Sequence, residues 1–182
     1  MLNRFTSYCI FLFIALTTNV AHSQNSPLIK HWWFSAGVGK SQFPSGMVAL
    51  GYEFTNTLTQ LIVRYSSNRQ IFSDIQPGIK ASEVGLLYGF TKGKFRFSTG
   101  LSTVWGVNRG KFRYSDPDPL LYGSTVYETI KYRTIGIPAE IRFIATNKAK
   151  DLGLGVTGFG NWNAKRSFAG LNLSIYVGGG IK

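Results

Sequence analysis

The sequence predicts an all-β chain in which eight antiparallel strands close up-and-down into a barrel with its apolar face outward. Three observations carry that prediction. Period-2 segments, several of them longer than an ordinary strand of about 5–6 residues, recur along the chain. Their connections alternate between long and short, and aromatic residues collect near the strand ends. No helical period is sustained, and no second hydrophobic stretch reads as a membrane helix.

Residues 1–23 stand apart from the fold as a cleaved export signal, leaving residues 24–182 for the barrel. Arg4 gives a positive start, Cys9-Ile-Phe-Leu-Phe-Ile-Ala-Leu16 an apolar core, and Ala21-His22-Ser23 a small-x-small cleavage site. The core is too short to span a bilayer, which takes about 20 helical residues. Cys9 lies inside it and reads as a hydrophobic filler rather than a lipid acceptor. It is also the chain's one cysteine, so the exported part has neither disulfides nor thiolate metal sites. Loss of Arg4 lowers the formal charge from +12 to +11. An exported protein rarely meets nucleic acid, so no nucleic-acid partner is expected. Anionic lipid headgroups or a lipopolysaccharide-like surface suit that charge better.

Eight strands are predicted, over about 31–40, 47–55, 59–67, 81–91, 95–108, 129–145, 152–163 and 169–182. The fifth is the clearest. Phe95, Phe97, Leu101, Trp105 and Val107 share one face with Thr99 and Thr103. Arg96, Ser98, Gly100, Ser102, Gly106 and Asn108 share the other, with Val104 the exception. In the second, Val48, Leu50, Tyr52 and Phe54 oppose Ala49, Gly51 and Glu53. The fourth sets Val84, Leu86, Tyr88 and Phe90 against Glu83, Gly85 and Gly89. The eighth sets Leu171, Leu173, Ile175, Val177 and Ile181 against Asn172, Ser174, Gly178, Gly180 and Lys182. The sixth keeps phase only from Ile135 onward. Around Tyr132 its pattern slips by one residue, as a bulge or a stretch above a membrane would make it do. Gly178-Gly-Gly180 reads as a strand feature giving close backbone approach or a bend.

Connections at Asn56-Thr57, Lys92-Gly93-Lys94 and Asn147–Asp151 are short; those over about 68–80 and 109–128 are long. This parity fits a transmembrane barrel with short periplasmic turns, longer external loops and both termini on the periplasmic side. The remaining external loops, near Gln42–Ser45 and Lys165–Ser167, are short. Trp32, Phe34, Phe54, Phe90, Phe95, Phe97 and Phe143 fall near inner strand ends, and Trp105 and Trp162 near outer ends. Two interfacial girdles result.

Sorting charges by face isolates Glu53, Arg64, Glu83, Arg96, Glu140 and Arg142, all opposite the aromatics. Three acids and three bases inside a narrow lumen predict mutual pairing as a structural network, in preference to an ion or proton path. Such a lumen is just wide enough to fill with side chains. Catalysis is not expected. Barrel hydrolases usually need a histidine base; His22 leaves with the signal, and His31 beside Trp32-Trp33 suits an interface. No nucleophile elbow, phosphate loop or metal spacing occurs, and no cofactor is expected. Arg109-Gly-Lys-Phe-Arg-Tyr114 suits either an anionic glycan or lipid headgroup, or the top of an extended hairpin, with the hairpin preferred. Asp116-Pro-Asp118-Pro119 offers too few ligands for calcium.

The export signal, the strand Ile135-Gly-Ile-Pro-Ala-Glu-Ile-Arg-Phe143 and the closing strand Leu171–Gly180 together resemble the small outer-membrane β-barrel domain proteins of the Bacteroidota. The resemblance implies an OmpA/OmpX-like barrel acting as a monomer in the outer membrane. It would be inserted by the barrel-assembly machinery, in contact with outer-membrane lipid, and with lipopolysaccharide or glycan at the external loops. It carries no shared catalytic residues. Family members commonly end in an aromatic residue, where this sequence has Ile181-Lys182. Either Tyr176 is then the recognition aromatic or insertion is less efficient. The expected role is non-enzymatic, structural or surface-interacting, in the cell envelope. The competing expectation is a soluble, lipocalin-like barrel with its apolar face inward around an apolar ligand.

Overall fold

The computed structural model describes residues 30–54, 57–71, 73–115, 125–146 and 152–178. The expected export signal, the Asp116–Pro119 segment, the short connection expected at 147–151 and residues 179–182 lie outside the described residues. The strands are β1 (Lys30–Lys40), β2 (Pro44–Phe54), β3 (Thr59–Arg69), the two-residue β4 (Ile75–Gln76), β5 (Lys80–Lys92), β6 (Phe95–Ser115), β7 (Thr125–Thr146), β8 (Leu152–Asn163) and β9 (Phe168–Val177). Each long strand pairs antiparallel with its neighbours in sequence, β7 pairs with β8, and β9 returns to β1. The eight long strands therefore form a closed antiparallel barrel. Closure removes the unpaired edges that an open sheet would present.

The alternation of faces decides what the barrel shows to its surroundings. On β6, Arg96, Ser98, Ser102 and Val104 are buried in the lumen, while Leu101 points out and is 66% exposed. On β9, Leu171, Leu173, Ile175 and Val177 point out, and Asn172, Ser174 and Tyr176 point in. The exterior is thus a continuous apolar band, and the lumen a filled interior. A lipocalin-like barrel would do the reverse and expose Glu53, Arg64 and Glu83. Arg64 and Glu83 are fully buried, so that alternative fails.

Aromatic rings mark the two rims of the band. At the end carrying the short turns, Trp32 packs edge-on to Tyr52 at 4.6 Å, and Tyr52 to Phe54 at 4.7 Å. On the other side of the same rim, Phe90, Phe97, Phe95 and Phe143 follow one another at 5.2 to 6.4 Å. Towards the opposite rim, Tyr65 and Trp105 lie 6.4 Å apart, and Trp162 stands exposed on β8.

Inside, two apolar clusters fill the barrel at different heights. Trp33, Ala49, Ile62, Leu87, Ile144 and Tyr176 occupy the half nearer the short turns. Met47, Ala81, Val104, Phe159 and Phe168 occupy the other half, with Tyr132 packed against them. Val104 departs from the polar pattern of its face because it belongs to this second cluster. Gly51 makes room for the first cluster, since a Cβ there would collide with the Trp33 indole. Gly178 has a φ of +148° and would place a Cβ against the Trp32 carbonyl, which is the close approach of β9 to β1 that glycine permits.

The structure corrects the sequence reading in three places. Of the two explanations for the phase slip at Tyr132, the bulge fails there: the β6–β7 register keeps one offset from Phe95↔Phe143 to Arg109↔Thr129, and every pair from Ser102↔Gly136 to Arg109↔Thr129 is made. Tyr132 is simply a large ring facing inward, and Lys131 and Arg133 are the charges of an outward face that has passed the apolar band. Register shifts occur further out, between Arg109 and Tyr114. Secondly, the expected loop over 109–128 is largely strand, because β6 and β7 continue as a projecting hairpin whose Phe112 and Tyr127 rings pack at 5.8 Å. Thirdly, the loop over 68–80 contains β4, which pairs parallel with Thr125–Val126.

Candidate functional site

The chemistry of the barrel concentrates in its lumen. Arg64 on β3, Glu83 on β5 and Glu140 and Arg142 on β7 share the inward phase of their strands, and small residues lie across from them. Gly85 is the register partner of Arg64, and Ser98 that of Glu140. Without those small neighbours, long side chains could not cross so narrow an interior.

They meet as one chain of alternating sign. Arg64 donates through Nη2 to Glu83 Oε1 at 2.6 Å and through Nη1 to Glu140 Oε2 at 3.0 Å. Arg142 grips the same Glu140 carboxylate twice, Nε to Oε1 at 2.6 Å and Nη2 to Oε2 at 3.0 Å. Its remaining Nη1 donates to Ser35 Oγ at 3.2 Å. Ser66 and Ser98 each donate to a carboxylate oxygen at 3.4 Å, and Gln60 donates to Ser98 at 3.0 Å. The side chains of Arg64, Glu83, Glu140 and Arg142 are wholly inaccessible to solvent. Closer to the short turns, Arg96 Nε donates to Glu53 Oε1 at 2.6 Å, and Glu53 keeps slight solvent contact. The structure thus brings all six sequence-selected residues into four ion pairs that balance in sign.

The apolar clusters hold this charged layer from both sides. The Arg142 guanidinium sits over the Trp33 ring at 4.8 Å and near Tyr176 at 5.9 Å; Arg64 lies 6.0 Å from the Phe159 ring. Aromatic faces favour a cation that has lost its water. Trp33, Tyr176 and Phe159 escaped the sequence reading, which assigned aromatics to the exterior. A signal existed for Trp33, because adjacent Trp32 and Trp33 on a strand must face opposite sides. Tyr176, one option for the insertion signal, faces the lumen and shares a hydrogen bond with Thr157 at 2.9 Å.

The loop end is built with other cations. Arg109 fastens the segment between β3 and β5, with Nε donating to the Pro77 carbonyl at 3.0 Å and Nη2 to Gln70 Oε1 at 2.7 Å and the Ile75 carbonyl at 3.0 Å. Arg166, between β8 and β9, donates to Asn108 at 3.1 Å and Gln42 at 2.8 Å and covers the Phe43 ring at 5.7 Å. Of the basic-aromatic stretch 109–114, Arg109 is therefore occupied by the protein's own carbonyls, and the hairpin reading of that stretch is the one the structure shows. His31 pairs through its backbone with Glu53. Among the described residues no group of His, Cys, Asp and Glu is placed to hold a metal ion.

No protein-family model matches the chain, and no curated protein matches its sequence. Among solved structures it is similar to the N-terminal β-barrel domain of OprF from Pseudomonas aeruginosa, at 9% identity and a TM-score of 0.49, over 82% of this chain and 97% of that one. It is similar to Neisserial surface protein A (NspA), at 12% identity and a TM-score of 0.48, over 81% of this chain and 96% of that one. A third is Ail, the attachment invasion locus protein of Yersinia pestis, solved with the heparin analogue sucrose octasulfate. The likeness there is 12% identity and a TM-score of 0.47, over 82% of this chain and 96% of that one. Likeness this distant carries no argument about function, and the barrel rests on its own strand pairing.

Proposed function

We propose that this protein is a non-enzymatic outer-membrane β-barrel with a structural or surface-interaction role in the cell envelope. One observation carries the reading: a closed barrel with an apolar exterior, aromatic rings at both rims, and charges paired inside. Water is a poor surrounding for such a surface, whereas lipid chains match it. The export signal over residues 1–23 supplies the route, and the barrel-assembly machinery the insertion. The sequence resemblance to the small Bacteroidota barrels supports this reading, in which the protein acts as a monomer.

The lumen network is proposed as structural. Four ion pairs account for all six charges, and the apolar clusters above and below seal Arg64, Glu83, Glu140 and Arg142 from solvent. Arginine does not release its proton at physiological pH, so a chain built on Arg64 and Arg142 makes a poor proton relay. A buried network of this kind is also a poor catalytic site, since no free base or nucleophile stands in it.

Cell fractionation tests the proposal. The protein should be recovered with outer membranes, need detergent for extraction, and migrate differently on gels before and after heating. Recovery from the soluble periplasm without detergent would sink it.

A further inference from the structure

The exterior of the barrel is not uniformly smooth. Near the loop end, a groove of about 390 Å³ runs along the outer faces of β1, β2 and β3. Its floor exists because Gly46 stands where its neighbours carry side chains, and a Cβ added there would meet nothing within 4 Å. Val38 and Ser67 flank Gly46 as its register partners, and the paired Val48 and Tyr65 close the inner end of the groove beside Ala36. Tyr65 belongs to the aromatic pair with Trp105, so the groove ends at the rim of the apolar band.

Cations stand just beyond that rim. Lys40 lies two residues past Val38 on β1, and Arg69 two residues past Ser67 on β3, each on the same outward face as the groove lining. Two residues along a strand is about 6.6 Å. Lys80 is the register partner of Arg69, so two positive side chains stand directly opposite each other on one face. Like charges in that position are destabilising unless something negative lies between them. Among the described residues none of the three has an ion-pair partner. The lumen, by contrast, pairs Glu53, Arg64, Glu83, Arg96, Glu140 and Arg142 with one another among the described residues.

We propose that this groove, with Lys40, Arg69 and Lys80 at its rim, is a binding site for a phosphate-bearing lipid of the outer leaflet. An acyl chain lies over Gly46 between Val38 and Ser67, its end against Val48 and Tyr65, and the phosphate sits on the cations. The chemistry asks for both ends of such a molecule. A free anion would leave the groove unused, and an uncharged lipid would leave Arg69 opposite Lys80 uncompensated. This rests on the membrane reading above, and it gives an anionic-lipid partner a defined seat on the barrel wall.

Native mass spectrometry of the protein extracted in detergent tests it, with diphosphoryl lipid A as probe. The comparisons are the same lipid with its phosphates removed, and inorganic phosphate as competitor. The variants are Arg69→Gln with Lys80→Gln, Gly46→Leu, and Lys165→Gln as a loop control. Charge-assisted hydrogen bonds of the usual strength predict that the Arg69→Gln/Lys80→Gln variant, and likewise removal of the lipid phosphates, weakens retention by about tenfold or more. Gly46→Leu fills the groove without changing charge and should also weaken retention, while Lys165→Gln should not. Retention equal within twofold across all variants would overturn the site. So would a loss confined to the charge variant with full displacement by inorganic phosphate, which would mean an anion patch without a lipid seat. Failure of the wild type to enter membranes at all would overturn the envelope reading itself, an outcome distinct from both.

Discussion

Replacing Glu140 by Ala removes the acceptor at the centre of the lumen. In the folded protein its carboxylate takes hydrogen bonds from Arg64 at 3.0 Å, from Arg142 at 2.6 and 3.0 Å, and from Ser98 at 3.4 Å. Arg64 keeps Glu83, but Arg142 is left with Ser35 and two aromatic faces. Removing one partner of a buried ion pair typically costs about 3–5 kcal/mol, because the other charge stays desolvated. Burial here is complete for both partners, so the upper part of that range applies. The Arg142→Ala change should cost a similar amount. The double variant should cost less than the sum, since the second substitution removes the charge that the first stranded. Lys111→Ala and Arg113→Ala, on the exposed hairpin, should stay within about 0.5 kcal/mol of wild type. Urea unfolding in lipid vesicles reads all five variants on one scale. Equal midpoints for lumen and hairpin variants would refute the assignment of faces, and additive losses for Glu140 and Arg142 would refute their pairing.

Three further predictions follow from the same geometry. Leu101→Arg places a charge at mid-height on the outward face and should destabilise the protein in vesicles by about 2–4 kcal/mol; an unchanged urea midpoint would mean that Leu101 does not face lipid. Planar-bilayer recordings should show no steady large conductance, because side chains fill the lumen; porin-sized steps from a monomer would contradict the filled interior. Arg109→Ala frees the segment from Gln70 to Ile79, so limited proteolysis there should speed up while the urea midpoint of the barrel holds; unchanged cleavage would show that Arg109 does not fasten it.

Much of the barrel was legible because a strand that is apolar on one face and polar on the other shows its period without reference to its partners. Phe95 to Asn108 displays that alternation with Val104 as its one exception, and the short turns fix the hairpin order. Inward charges were legible for the same reason, since phase alone separates Glu83 from Val84. Their partners were not, because pairing depends on register across strands distant in sequence, as between Arg64 and Glu140. Large lumen residues were hidden for another reason. An inward Trp33 or Tyr176 looks like part of a girdle until Gly51 and Thr157 are seen to receive it. Beyond the apolar band both faces of a strand are wet, alternation fades, and the β6–β7 extension reads as loop although it pairs as strand. The groove at Gly46 was invisible for the same reason as the ion pairs: it needs three strands side by side.

The central claim is that the outward apolar face meets lipid, and a single cysteine tests it most directly. Residues 24–182 hold no cysteine, so in that part of the chain Leu101→Cys can carry one fluorophore without competing thiols. In vesicles, mid-chain spin-labelled lipid should quench that fluorophore and aqueous iodide should not, with Arg113→Cys on the hairpin showing the opposite pattern. Iodide quenching at Leu101→Cys without lipid quenching would contradict the account.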